Sequence, residues 1–350
     1  MMDFSFTEQQ IAFRDTLKSF LKDQSTTSSI RSLWNDSSRF NQKRWSGLKD
    51  LGVIGSLIEE EEGGLGLNDI DFVLMAEEAG YAALPEPLVD IGWITAALLN
   101  ELTNNSKENW KAKLANGDLM ALTGHELNRF LPNAHLADTF FLQSGDGLHM
   151  LSKEELILNE RESLDPSLRL FSLDWKPKDS QRIVHRSESV DIWQKILNVG
   201  ALSIAAQQLG LARRIIDLSV DYVKTREQFG VKIGSFQAIK HHLANIQVQI
   251  EFAKPVVYRA AYSIAHNLPG RYRDVSHAKM ASSRASRLAA KNSIQVHGAM
   301  GYTWESDLQI FMKRIWVLDI LWGNHSWHQN RLEEEILNTG SALGLGQTFV

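Results

Sequence analysis

The 350-residue chain is long enough for two or three domains, and its 43% apolar content can bury their cores, which excludes a disordered protein. Its net charge of −5, with acids and bases interspersed, leaves no electrostatic footprint for nucleic acid or an anionic membrane surface. The absence of cysteine removes thiolate catalysis, disulfides, iron–sulfur ligation and the usual structural zinc sites, so redox chemistry here needs an organic cofactor.

Met1 to Glu8 has neither the basic nor the apolar region of a signal peptide, and no apolar run reaches about 18 residues. The expectation is a cytoplasmic protein without a membrane span. Thr7 with Gln10 has the form of a capping box, and Ile11, Leu17, Phe20 and Leu21 share a face of the helix that follows. Asn41 caps a second helix carrying Trp45, Leu48 and Leu51, which Gly52 ends. Residues 59–67 are acidic and glycine-rich and read as a loop. Asn68 caps a helix with Ile70, Phe72, Val73 and Met75, stopped at Gly80. Pro87 permits a helix to start, and Leu88 to Leu102 is apolar enough to be buried. Ser106 and Gly117 bracket one more short helix from Lys107 to Asn116.

From Asp118 to Val190 the period changes, with short apolar runs at 119–122, 139–142, 156–158 and 168–171 separated by turn residues. These read as strands of a small sheet or open barrel. Helical periodicity resumes near Ile192. Leu209, Ala212, Ile216 and Val220 share one face, as do Ile239, Leu243, Ile246 and Ile250, and Pro255 is expected to kink that second helix if it runs through. An Ala- and Ser-rich helix from Ser276 to Val296 and another from Asp307 to Leu321 complete an antiparallel bundle. The expected class is mainly α with a small β domain: a helical N-terminal domain (1–117), a short β domain (118–190) and a C-terminal four-helix bundle (191–350).

The chemistry concentrates in the bundle. Arg226 follows an apolar helix and precedes Phe229 and Gly230, so its guanidinium can grip a diphosphate while Phe229 packs on a ring system. Ile233, Phe236 and Gln237 follow, and a later helix ends in Gln295-Val296-His297-Gly298-Ala299-Met300-Gly301-Tyr302. With the N-terminal stretches Leu51-Gly52-Val53, Glu62 to Gly66 and Ala76 to Gly80, this pattern resembles the acyl-CoA dehydrogenase family over nearly the whole chain.

The resemblance implies FAD held between subunits of a dimer or a dimer of dimers. Arg226, Phe229 and Gln237 match positions that contact its diphosphate and adenine end from one subunit. Gln295, Gly298 and Gly301 match positions that contact it from another. Family members remove the proton alpha to the thioester with a glutamate at one of two places, and in this chain those places are Gly200 and Trp322, so the catalytic base is unknown. The segments that surround the flavin ring in the family have no counterpart between Asp118 and Val190.

The resemblance is to partner-dependent subunits that act on acyl-CoA thioesters, including bulky or steroid-derived ones. A related subunit in a heterodimer or heterotetramer would supply the base, and an electron-transfer flavoprotein could serve as acceptor. The alternatives are a catalytically silent scaffold protein and a homomeric enzyme whose base is displaced to Asp319 or Glu305. His325 and His328 read as solvated residues near the terminus, and no metal site is expected.

Overall fold

A computed structural model describes residues 5–102, 109–145 and 147–338. The N-terminal helices begin where short polar side chains cap them. Helix α1 (Glu8–Gln24) starts from the Thr7 capping box: the Gln10 N–H donates to Thr7 Oγ1 at 3.2 Å, and the Thr7 N–H to Gln10 Oε1 at 3.0 Å. Helix α3 (Gln42–Asp50) is capped by Asn41, and Gly52 follows in the left-handed region. Between them lies α2 (Thr27–Leu33), unanticipated because its run of serines and threonines carries no apolar period. The acidic stretch is a loop with one 3-10 turn at Glu60–Glu62.

Helix α4 (Asp69–Tyr81), capped by Asn68, does not stop at Gly80. That glycine has a packing role: a Cβ there would stand 2.2 Å from the Gln207 carbonyl oxygen, and one at Gly210 would stand 1.9 Å from that of Glu77. The two glycines let α4 and α7 (Arg186–Thr225) cross backbone to backbone. Arg213 locks the crossing by pairing with Glu77 and with Glu78 (3.2 Å), and the Tyr258 hydroxyl donates to Glu77 at 2.7 Å.

The apolar stretch after Pro87 contains a π-helical segment (Asp90–Thr95) that continues into α5 (Ala96–Glu101) and buries Trp93 completely. Helix α6 spans Trp110–Ala115; Ser106 and Lys107 lie outside the described residues.

The middle domain holds two small sheets. One has the order β1 (Ala121–Gly124), β3 (Thr139–Ser144), β4 (Gly147–Ser152), β7 (Arg182–His185), with β1 parallel to β3. The other has the order β2 (Leu131–Pro132), β6 (Leu170–Asp174), β5 (Ile157–Arg161). Each apolar run of the sequence falls in or beside β1, β3, β5 or β6. The shorter or more polar β2, β4 and β7 gave no such run.

The C-terminal domain packs α7 against α8 (Gln237–Ala265) and α9 (Arg271–His297), with α10 (Leu308–Asp319) and α11 (His325–Asn338) beside α9. Helix α8 continues through Pro255. The small residues of α9, among them Ser276, Ser283, Ala285, Ala289 and Ala290, are buried where neighbouring helices approach. Arg314 of α10 ties the bundle to the β region and to the N-terminal helices. It forms a buried ion pair with Asp165 of the β domain and donates to the Leu84 carbonyl of the N-terminal domain at 2.8 Å. Among the described residues no helix is long and apolar enough to cross a membrane.

Candidate functional site

Helix α7 ends at Thr225, and Arg226 leaves it in an extended conformation. A two-stranded hairpin follows, β8 (Glu227–Gln228) on β9 (Val231–Lys232), with Phe229 and Gly230 as its turn. Both turn residues have positive φ, +54° and +79°, the combination that matches strand twist in a two-residue hairpin loop. The sequence Phe-Gly therefore places an aromatic ring at the tip, and Phe229 is 93% exposed.

The second segment begins where α9 ends. Gly298 caps it at φ +58° and ψ −138°, and a Cβ there would meet nothing within 4 Å. The resemblance assigns the cofactor contacts of the two segments to different subunits; within one protomer the segments are neighbours. Tyr222 stacks on His297 with ring centroids 4.3 Å apart, and Val223, Ile233 and Val296 form a buried cluster beneath them. Arg226, Phe229, Gln237, Gln295 and Gly298 are all exposed. The Arg226 side chain makes no hydrogen bond or ion pair with the described residues. A free guanidinium, an exposed ring and an open glycine suit a ligand with a phosphate and a planar group. Gly301 differs: it is buried, and a Cβ there would stand 3.2 Å from both His297 Cβ and the Ile294 carbonyl oxygen, a tight fit within its own chain.

The two expected base positions meet. A Cβ at Gly200 would stand 2.1 Å from Cδ2 of Trp322, whose indole lies directly over that stretch of α7. His125, just after β1, packs edge-on against Trp322 (centroids 5.9 Å) and Trp193 (5.6 Å). Burial lowers the His125 imidazole to about 4, so it is neutral at ordinary pH. The Trp322 N–H donates to Asn128 Oδ1 at 2.7 Å, and its carbonyl accepts from His328 Nε2 at 2.9 Å.

His328 is thus not the solvated residue expected. It is fully buried, because α11 folds back on α9, and burial pushes its imidazole down to about 3 against the opposing pull of the Trp322 carbonyl. A proton on Nε2 faces that carbonyl, so in the neutral ring Nδ1 accepts from Ser276 Oγ at 3.1 Å. No motif flagged His125, Asn128 or Ser276. Their roles come from contacts between domains, and only the His-x-x-His spacing at His325 drew attention to the fourth residue.

Neither displaced-base candidate has the geometry for the task. Asp319 is buried in a polar network and accepts from Ser283, from Gln208 Nε2 at 3.1 Å and from Arg287 Nε at 2.9 Å. Burial would raise its carboxyl, but the Ser283 and Arg287 hydrogen bonds outweigh that and hold it below the usual range. Its backbone carbonyl accepts from Lys279, an amine that burial brings down to about 8. Glu305 is exposed in a turn whose carbonyls, from Trp304 to Ser306, receive the Arg31 guanidinium.

Comparisons agree with this architecture. The acyl-CoA dehydrogenase N-terminal domain matches residues 7–118, and the C-terminal domain of the same enzymes matches residues 190–337. The acyl-CoA dehydrogenase IpdE2 of Mycolicibacterium smegmatis is 27% identical over 331 residues, covering 94% of this chain and 99% of that protein. Among solved structures, a chain of the ChsE4–ChsE5 complex from Mycobacterium tuberculosis superposes with a TM-score of 0.84 at 21% identity, covering 97% of this chain and 100% of that one. A Tcur3481–Tcur3483 steroid ACAD variant gives 0.82 at 19% identity, covering 93% and 97%. With both domain models matched in order and the helical, β and bundle regions in place, this chain is a member of the acyl-CoA dehydrogenase family.

Proposed function

We propose that this chain is one subunit of an FAD-dependent acyl-CoA dehydrogenase, and that a related partner chain supplies the glutamate that takes the alpha proton of the thioester. The observation that carries this reading is the contact of Gly200 with Trp322. Neither expected base position holds a carboxylate, and an indole fills the space between them.

The fit to FAD differs at its two ends. The exposed face bearing Arg226, Phe229, Gln237, Gln295 and Gly298 suits the diphosphate and adenine. Arg226 would hold the diphosphate, Phe229 would cover a ring, and Gly298 would let the backbone come close. At the other end Trp322, His125 and Trp193 stand together, and this chain lacks the family's ring-contacting segments. When bound, FAD supplies the hydride acceptor. This chain supplies orientation and charge at the diphosphate, while the base and the ring's surroundings fall to the partner. An electron-transfer flavoprotein is the acceptor this chemistry calls for. The proposed acyl group is bulky or steroid-derived, in keeping with the family resemblance and with a structural neighbour named a steroid ACAD.

A silent scaffold would not need the unpaired Arg226 or the open Gly298, and a homomeric enzyme would need a carboxylate freer than Asp319. The test is to purify the chain alone and together with a related chain bearing a glutamate at either base position. Flavin absorbance and thioester-dependent reduction of an artificial acceptor are then measured. Activity only in the co-purified assembly is expected, and robust turnover by the chain alone would overturn the proposal.

A further inference from the structure

We propose that Asn128, His328 and Ser276 are positioning residues that hold the Trp322 indole on Gly200 as a fixed wall, sealing the face of α7 where an acyl chain would lie. The location of that acyl face rests on the reading above; the clamp itself does not. Trp322 sits in the left-handed region at φ +56°, an unfavourable conformation for a bulky residue that persists only where its surroundings impose it. Here they do. Both polar groups of its backbone are taken by side chains from other elements: the N–H by Asn128 from the β domain at 2.7 Å, and the carbonyl by His328 from α11 at 2.9 Å. Ser276 on α9 fixes the imidazole at its other nitrogen, which sets the tautomer that can donate to Trp322. Gly323 completes the clamp, since a Cβ there would stand 2.8 Å from His328 Nε2 and 2.7 Å from the Trp327 ring.

Starting helix α11 does not explain His328. Asn324 Oδ1 already accepts from the Trp327 N–H at 2.9 Å as that helix's own cap. The imidazole instead reaches back to Trp322, whose side chain meets Gly200. Three elements from different parts of the chain converge on a single backbone state.

The test uses the full chain labelled with 5-fluorotryptophan and followed by 19F NMR, with the Trp322 line among the ten tryptophans assigned from Trp322→Phe. A single sharp line is expected in the unmodified chain. His328→Ala and Asn128→Ala should each shift or broaden it, and His328→Gln, whose amide can still donate to the carbonyl, should largely restore it. If His328→Ala does not fold, Asn128→Ala carries the same test. A Trp322 line unchanged in the folded alanine variants would overturn the clamp. In a second arm Trp322→Gly is titrated with free indole. A saturable rise in melting temperature absent from the unmodified chain is expected if the indole fills a fixed wall, and no rise would overturn the wall. Neither arm involves FAD, a thioester or a partner, so the clamp and the partner requirement can fail separately.

Discussion

Gly200 and Trp322 are a matched pair: the missing side chain of one is the space occupied by the other, with 2.1 Å between a notional Cβ and the indole Cδ2. The two departures from a catalytic carboxylate are therefore one structural feature. Restoring a side chain at Gly200 alone would collide with the indole that stands opposite.

This predicts strong coupling between the two positions. Gly200→Ala should destabilise the chain by about 1–3 kcal/mol through overpacking. In a Trp322→Ala background the same change should become neutral, or stabilising by roughly 0.5–1 kcal/mol, because alanine is the better residue inside a helix. A double-mutant cycle by urea denaturation measures it, and additive effects would show that the two residues are not in contact.

Arg226→Ala should leave the melting temperature of the chain almost unchanged, since its exposed side chain has no partner among the described residues. In the assembly it should weaken flavin binding by roughly 1.5–3 kcal/mol, on the order of ten- to a hundredfold. Flavin content after dialysis against limiting FAD is the measurement. Unaltered content would remove Arg226 from the diphosphate site.

Gly298 separates backbone strain from cofactor space. At φ +58° an alanine is strained whatever the room, so Gly298→Ala should cost folding about 1–2 kcal/mol even though its Cβ meets nothing within 4 Å. Gly298→Val adds bulk in the same open space, and its extra effect should fall on flavin occupancy in the assembly. Comparing the two variants by thermal melting and by flavin content tests this. If valine lowers both in equal measure, Gly298 only ends α9.

His328 predicts a pH dependence of stability. In the unfolded chain the imidazole takes up a proton near its ordinary 6.5, whereas in the folded chain burial delays this until about 3. The unfolded state thus binds more protons throughout that window, and stability falls as the solution is acidified through it. From pH 6.5 to 4.5 the His328 contribution is roughly 3 kcal/mol at most. His328→Gln should flatten the curve over this range while leaving the carboxylate-driven loss at lower pH. An identical slope would mean that the imidazole is protonated in the folded state.

What was legible in the sequence was local. Thr7, Asn41 and Asn68 announce helix starts because a capping side chain bonds within its own next turn. The end of the Ala- and Ser-rich helix, expected at Val296 and found at His297, was readable because a glycine follows it. Gly80 was misread as a stop because its partner, the Gln207 backbone, belongs to another domain. His328 looked solvated because only the return of α11 onto α9 buries it. Gly200 and Trp322 each showed the loss of a base, yet nothing in the residues around either one reveals that they touch.

The proposed pairing of an open adenine-end face with a closed acyl face leads to the last prediction, on stoichiometry. A flavin needs contacts at both ends, and on the proposed reading this chain offers them at one: Arg226, Phe229, Gln237, Gln295 and Gly298 are exposed, while Trp322, His125 and Trp193 stand together. Its outward face can then only complete a flavin whose ring lies in another chain. In an assembly with equal numbers of this chain and a partner that has an open ring site, each flavin draws on one chain of each kind, giving about one flavin per two chains. The ratio is measured by flavin absorbance after denaturation against protein determined by amino-acid analysis. A value near one per chain would mean that this chain seats a flavin ring of its own and that the indole moves aside on binding. In that case Trp322→Gly should leave the flavin content near one per chain, whereas a permanent wall predicts that the content rises.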